Sequence, residues 1–346
     1  MSSVLNNVTA RTGACTIAIV LALSVGSSRG TGRAQQDGVR IEVLQVRPNF
    51  YMIAGPSSNV GVQIGPDGVV VVNAGAQNES AELLSAIEKL SRAPIRYIIN
   101  TSADADLVGG NRTLSKAGLR LGALTVRGGI PPGPDDAAFI MAHENVLNRA
   151  RGLTPSLPAE AWPSETFDEE RKALSFNGEG IEVLHQPAAH TDGDTVVFFR
   201  RSDVVVAGHI VDATRFPVID VARGGTVQGE IAALNHLIRL AIPAGPYLGI
   251  PDGAIETSTA TLPGGTEVLT GRGRIYRQID VVNYRDMVVI ISDTIQHMID
   301  QKMTLEQIKA AAPAKAWEPQ FGAASGPWTT NDFVEAVYES LTNRKR

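Results

Sequence analysis

The chain has 346 residues, 43% of them apolar, a formal net charge of −5 and a mean hydropathy of +0.01. That is enough to bury a large core, as one α/β domain or two small ones, and the acidic balance argues against nucleic acid or anionic membrane as partners. The single cysteine, Cys15, lies in an N-terminal apolar run, so the rest of the chain has no thiol for a disulfide or a metal.

Residues 1–34 hold no acid; Arg11 precedes "ACTIAIVLALSV", and Gly32 and Ala34 are small residues before Gln35. This is the plan of a secretory signal peptide, too short in its apolar run to span a bilayer. The expectation is an exported protein, periplasmic or secreted, with no stable membrane insertion after cleavage. Losing three arginines and no acid moves the formal charge from −5 to −8. Residues 35–346 then read as a single domain with a C-terminal helical extension.

From Gly38 onward strand and turn signals alternate: "IEVLQV", "NFYMIAG", "NVGVQIG", then Pro66-Asp67-Gly68, then "VVVVNAG". The Pro-Asp-Gly between two β-branched runs predicts a hairpin turn. "ESAELLSAIEKLSRA" places Leu83, Leu84, Ile87 and Leu90 at helical spacing, with Ser80 as N-cap. "PIRYIIN" follows as a buried strand, giving strand, helix, strand and a parallel pairing. Residues 127–175 are Pro-rich and weakly periodic; one helix is expected around "DDAAFIMAHENVLNRA", on a long surface excursion. A second β block, "GIEVLHQP", "DTVVFFR" and "VVVAGH", echoes the first. Two halves, each a β layer followed by helix, predict an α/β sandwich of two sheets with helices outside. The helix "GEIAALNHLIRLA" leads to a Gly/Pro-rich stretch at 243–265 and a last strand, "TEVLTG". Three helices close the chain, the first burying Tyr284, Met287, Val288, Ile291, Ile295 and Met298, the second opening with a capping box from Thr304 to Gln307.

The stretches "NVGVQIGPDGVVVVNAG", "PIRYIINT…GGN", "QPAAHTDGDTVVFF", "DVVVAGH", "PVIDVARGGTVQGEIAALN" and "GTEVLTGRGR" together resemble the metallo-β-lactamase-fold hydrolases, along nearly all of the chain after residue 34. The resemblance implies an αββα sandwich holding one or two metal ions, usually zinc, at the edge of the two β layers. The family's first motif is His-x-His-x-Asp-His after an Asn-Thr strand end. Here its positions read Ser102, Asp104, Asp106 and Leu107 in "NTSADADL". The third ligand of the first metal corresponds to His190 in "AAHTDGD". The usual bridging Asp is His209 in "VVAGH", and the last ligand, from a Pro-Gly-His-Gly stretch, is Arg272 in "TGRG". Of seven positions only Asp106 and His190 keep the family's residue, so a standard dinuclear zinc site is not expected.

Leu107 has no donor atom, and Arg272 brings a fixed cation that pairs with Asp104 or Asp106 in place of the second ion. Asp104, His190 and His209 are a candidate single site for zinc or iron, with Asp106 as a fourth ligand or general base; the alternative is no metal at all. Asp192 and Asp194 are expected to brace the His190 loop from outside. Gly109, Gly110 and Asn111 read as turn and helix-start residues, His143, His185, His236 and His297 as ordinary strand or helix residues. Three functions follow. The first is a non-hydrolytic or catalytically impaired protein binding an unknown small molecule, and the second a mononuclear hydrolase of an ester, thioester, lactone or amide. The third is a structural partner whose C-terminal helices leave an apolar face exposed. Whether Arg272 and Asp106 pair across the site separates the first from the second.

Overall fold

The structure, a computed structural model, describes residues 40–120, 136–153, 156–243 and 265–343. Their β-branched and aromatic runs form twelve strands among the described residues. Strands β1 (Glu42–Arg47), β2 (Phe50–Ala54), β3 (Asn59–Gly65), β4 (Gly68–Val72), β5 (Ile95–Ile99), β6 (Phe139–His143) and β7 (Glu165–Phe167) make one sheet in chain order. The first four pair antiparallel, and the pairs from β4 to β7 are parallel. Strands β8 (Arg171–Phe176), β9 (Glu179–His185), β10 (Thr195–Phe199), β11 (Val204–Asp212) and β12 (Glu267–Arg272) make the second sheet in the order β12-β11-β10-β9-β8. Only β11 and β12 pair parallel in it.

The period-two geometry of a strand explains the unbroken valines of β4. Val70 and Val72 enter the core between the sheets with Phe50, Ile99, Val206 and Leu269. Val69 and Val71 face the other way, onto Leu83 and Ile87 of α1 (Ser80–Leu90). A strand buried on both faces has no polar side to show. The second sheet repeats the plan: Val204 and Val206 point inward, while Val205 and Ala207 pack beneath α5 (Val227–Leu240), α6 (Gln278–Asp300), α7 (Leu305–Ala311) and α9 (Thr330–Thr342). The layers are helix, sheet, sheet, helix.

The C-terminal helices do not leave an open apolar face. Val281, Tyr284, Met287, Val288, Ile291 and Ile295 of α6 are buried with Phe333 and Val337 of α9. At roughly 1.5–3 kcal/mol per large side chain this burial holds the helices to the sheet, and it counts against the structural-partner reading. The capping box at Thr304 and Gln307 is present at the start of α7.

Two expectations are corrected. Ser80 is not the N-cap of α1: a 3-10 turn at Gln77–Glu79 runs directly into the helix, and Ser80 Oγ donates back to Gln77 O instead. Residues 136–153 and 156–175 are not a surface excursion. Phe139–His143 is strand β6, paired with β5 and buried along most of its length, and helix α4 starts only at Glu144 (Glu144–Ala150). β7 and β8 follow, so this stretch completes one sheet and begins the other; ladder pairing and two-sided burial override the weak helical pattern. Residues 121–135, 154–155 and 244–264 lie outside the described residues, as does the predicted signal peptide at 1–34.

Candidate metal centre

The candidate ligands come from segments following β5 and β9 and from the ends of β11 and β12, so strand ends set their positions. After β5 the chain is pinned by reciprocal amide bonds: Asn100 Nδ2 donates to Asn111 Oδ1 at 3.0 Å, and Asn111 Nδ2 to Asn100 Oδ1 at 2.8 Å. Thr101 donates from both N and Oγ1 to Asn73 Oδ1. A Cβ at Gly110 would sit 2.1 Å from Ala74 O, and one at Gly109 2.4 Å from Gln77 N. Gly-Gly-Asn is therefore the packing device that lets α2 (Ala105–Val108) and α3 (Asn111–Ala117) close against the first sheet. On the opposing strand, Gly208 has φ +56 and lies where a Cβ would meet Thr101 Oγ1 at 2.4 Å. The β11–β12 register shifts there, immediately before His209.

These constraints bring Asp104, His190 and His209 together, each with one donor atom within 4.8 Å of the others. Asp104 Oδ2 is the centre. It accepts from Ser102 Oγ at 2.5 Å, lies 2.8 Å from His190 Nε2 and 3.4 Å from His209 Nδ1. Its other oxygen, Oδ1, accepts from Arg223 at 2.8 Å, and Arg223 Nε donates to Asp220 at 2.7 Å. Asp106 Oδ2 is bound by Arg272 and stands 3.2 Å from His209 Nε2, which lacks hydrogen-bond alignment. Arg272 thus pairs with Asp106, while Arg223, absent from the sequence reading, takes Asp104. Leu107 is fully buried and brings only carbon.

The tautomer of His190 follows from its partners. Nδ1 lies 2.6 Å from the carbonyl of Val218, which only accepts, so Nδ1 carries a proton. Nε2 then faces a carboxylate, and that contact needs a proton or a metal ion. Burial opposes charge on His190, but Asp104 outweighs it and raises the imidazole. Burial likewise opposes charge on His209, yet Asp104 and Asp106 raise it to about 10. The two imidazoles in turn hold the Asp104 carboxyl well below its ordinary range despite burial.

The connected permanent charges are one cation short. Asp104, Asp106, Asp212 and Asp220 contact Arg215, Arg223 and Arg272, four carboxylates against three guanidiniums. One imidazolium restores neutrality, and a divalent ion between two neutral imidazoles leaves the same single positive charge as two imidazoliums would. His190 turns Nδ1 out to Val218 O and Nε2 in to Asp104 Oδ2, the arrangement that orients a metal-binding histidine, while His209 stands with Nδ1 3.4 Å from Asp104 Oδ2 and Nε2 3.2 Å from Asp106 without hydrogen-bond alignment. These residues fit a single divalent ion. They do not fit a second one beside Asp106, where Arg272 occupies the carboxylate.

Ser102 is not built as a nucleophile, since its hydroxyl donates to Asp104, a carboxylate held well below its ordinary range and therefore too weak a base to take the proton. Asp192 and Asp194 do not touch the His190 ring. Asp192 takes Arg149 through both oxygens, at 2.7 and 3.3 Å, and Asp194 closes the loop onto Thr191 N and Oγ1. Burial pushes Asp194 up to about 6. Behind it Glu230 on α5 is fully buried with neither carboxyl oxygen hydrogen-bonded, and burial followed by the nearby Asp194 raises it well above the carboxylate range. Arg223 and Asp220 were legible only as a local pair three residues apart before Gly224, whose φ is +87.

The sequence profile of the metallo-beta-lactamase superfamily matches residues 54–244. Among solved structures, a metallo-beta-lactamase from Pontibacter korlensis is similar with a TM-score of 0.51 and 14% identity, over 72% of this chain and 99% of that one. The DIM-1 metallo-beta-lactamase gives 0.51 and 14%, over 73% and 98%. The sec-alkylsulfatase Pisa1 from Pseudomonas sp. gives 0.57 and 12%, over 86% of this chain and 50% of that one. Sequence comparison with curated proteins gives no match. With the αββα layers and the ligand-bearing strand ends in place, the profile match over more than half of its length makes this chain a member of the metallo-β-lactamase superfamily.

Proposed function

We propose that this chain is an exported superfamily member whose dinuclear centre has been replaced by side chains, and that it binds a small molecule with little or no hydrolysis. The Asp106–Arg272 ion pair carries this reading. A guanidinium at the position of the last family ligand supplies a fixed positive charge, but it cannot polarise water into hydroxide or take a carbonyl oxygen as a Lewis acid. With Leu107 beside it bringing only carbon, and Arg272 tied to the Asp106 carboxylate, the second position keeps no free set of ligands for an ion.

A second reading, a mononuclear metal-dependent hydrolase, is favoured by the inward nitrogens of His190 and His209 around Asp104 Oδ2. Zinc or iron held by Asp104, His190 and His209 would supply a bound water of lowered pKa. The chain's own residues would do the rest. Val218 O fixes the His190 ring, Ser102 and Arg223 hold the Asp104 carboxylate, and Asp106, tied to Arg272, is poorly free to move a proton.

Turnover separates the two. Purified protein loaded with Zn²⁺ or Fe²⁺ is offered an ester, a thioester, a lactone, a β-lactam and, because one structural neighbour is an alkylsulfatase, a secondary alkyl sulfate. The binding-protein reading expects no turnover above that of His190→Ala. Turnover lost in His190→Ala but kept in Ser102→Ala would replace it with the mononuclear enzyme. N-terminal sequencing of protein recovered from the culture fluid or periplasm tests export, with a start near Gln35 expected.

A further inference from the structure

A concavity of about 400 Å³, lined by none of the metal-centre residues, lies between the start of β8, the end of β9 and α5. Gly229, Ala232, His236 and Arg239 recur along α5 at positions that share one face; Gly229 lets the helix close on the loop after β9, where a Cβ would sit 1.8 Å from Ala188 O. Across from them stand Glu170, Arg171, His185 and Gln186.

Both imidazoles have their tautomers fixed from behind. Gln186 Nε2 donates to Leu184 O at 3.1 Å, so its Oε1 is the atom facing His236 Nδ1 at 3.1 Å, and Nδ1 carries the proton. His236 Nε2 is left as an acceptor. His185 Nε2 lies 2.9 Å from Asp192 O and must donate, which leaves Nδ1 as the acceptor. His185 is further held by His143, stacked at 3.7 Å between ring centroids. Arg239 has no ion pair or hydrogen bond among the described residues, and it stands close enough to His236 to help burial lower that imidazole. Arg171 reaches Glu182 only at 3.6 Å, a carboxylate it shares with Arg200. The cleft therefore sets two guanidiniums against the single carboxylate of Glu170, beside two oriented lone pairs. His185, Glu170 and His236 are not among the residues gathered closely enough for a three-ligand metal site.

We infer that this cleft is a separate binding site for a small hydroxylated oxyanion, a sugar phosphate or a hydroxycarboxylate. Arg239, with Arg171, takes the anionic group through charge-assisted hydrogen bonds, and His236 Nε2 and His185 Nδ1 accept from the neighbouring hydroxyls. Such a molecule uses both halves of the lining, whereas a bare anion uses only the guanidiniums.

Calorimetric titration of the full protein with glucose 6-phosphate, citrate, inorganic phosphate and glucose tests this. Glucose 6-phosphate or citrate is expected to bind, inorganic phosphate more weakly, and glucose not at all. Arg239 is exposed, so Arg239→Gln leaves the fold intact and is expected to weaken binding about ten-fold, with His236→Ala a few-fold weaker. His190→Ala, in the other site, is expected to leave the affinity unchanged. The inference is overturned by no binding of either hydroxylated anion at millimolar concentration, by equal affinity in Arg239→Gln, or by loss of binding in His190→Ala. None of these outcomes bears on turnover at the metal centre.

Discussion

A buried carboxylate and a half-buried one, at opposite ends of β9, are satisfied in different ways. At its start, Glu179 accepts from Ser202 Oγ at 2.7 Å, from the backbone N of Arg201 and Ser202, and from Gln63 Nε2 at 2.5 Å. All are uncharged donors. Beyond its far end, Asp104 is surrounded by Arg223, His190 and His209, with Ser102 as the single neutral donor. Neutral donors fixed by backbone cannot be exchanged for an ion, so Glu179 can only tie strands together. Two of the groups around Asp104 are imidazoles that can give up a proton to a metal, and this makes one end of the sandwich a scaffold and the other a site.

The sharpest way to break the contrast is to remove each carboxylate. Asp104→Asn leaves buried positive charge without its partner and is expected to lose about 3–5 kcal/mol in denaturant unfolding, with any Zn²⁺-induced stabilisation abolished. Glu179→Gln is expected to lose about 1–3 kcal/mol from mismatched donors and to keep its full response to Zn²⁺. Equal responses in the two variants would remove the distinction.

pH sharpens it further. Metal-free protein has a His209 imidazole whose folded pKa, about 10, lies above its ordinary 6.5. Its stabilisation is present in full below pH 6.5 and is lost as pH rises towards 10, on the order of 2–4 kcal/mol. Glu230, raised by burial, acts in the same direction. A flat unfolding free energy between pH 6.5 and 10 would show that His209 is neutral in the folded state. Smaller effects are expected at the edge of the site. Arg272→Gln frees a partly exposed Asp106 and costs about 1–2 kcal/mol, while raising affinity for Zn²⁺ in a metal titration. Ser102→Ala removes one hydrogen bond to Asp104 and costs about 0.5–1.5 kcal/mol.

The same contrast marks what one sequence can carry. The valine runs of β4 and β11, the Pro66-Asp67 turn and the α6 stripe were legible because local periodicity and two-sided burial agree there. β6, β7 and β8 were not: they are short, and their identity as strands comes from partners distant in the chain. In the site, Asp104, His190, His209 and the Arg272–Asp106 pair could be placed from family positions. Arg223 could not, because its contact with Asp104 spans 119 residues and no local pattern announces it. Val218 contributes a backbone carbonyl, which leaves no trace in residue identity.

The central claim, that Arg272 has closed the second position and left one three-residue site, is tested most directly by metal stoichiometry. Elemental analysis of the purified protein after incubation with Zn²⁺ or Fe²⁺ and removal of free ion is expected to give no more than one ion per chain, falling to none in His190→Ala. Two ions per chain in the wild type, or one retained in His190→Ala, would contradict it.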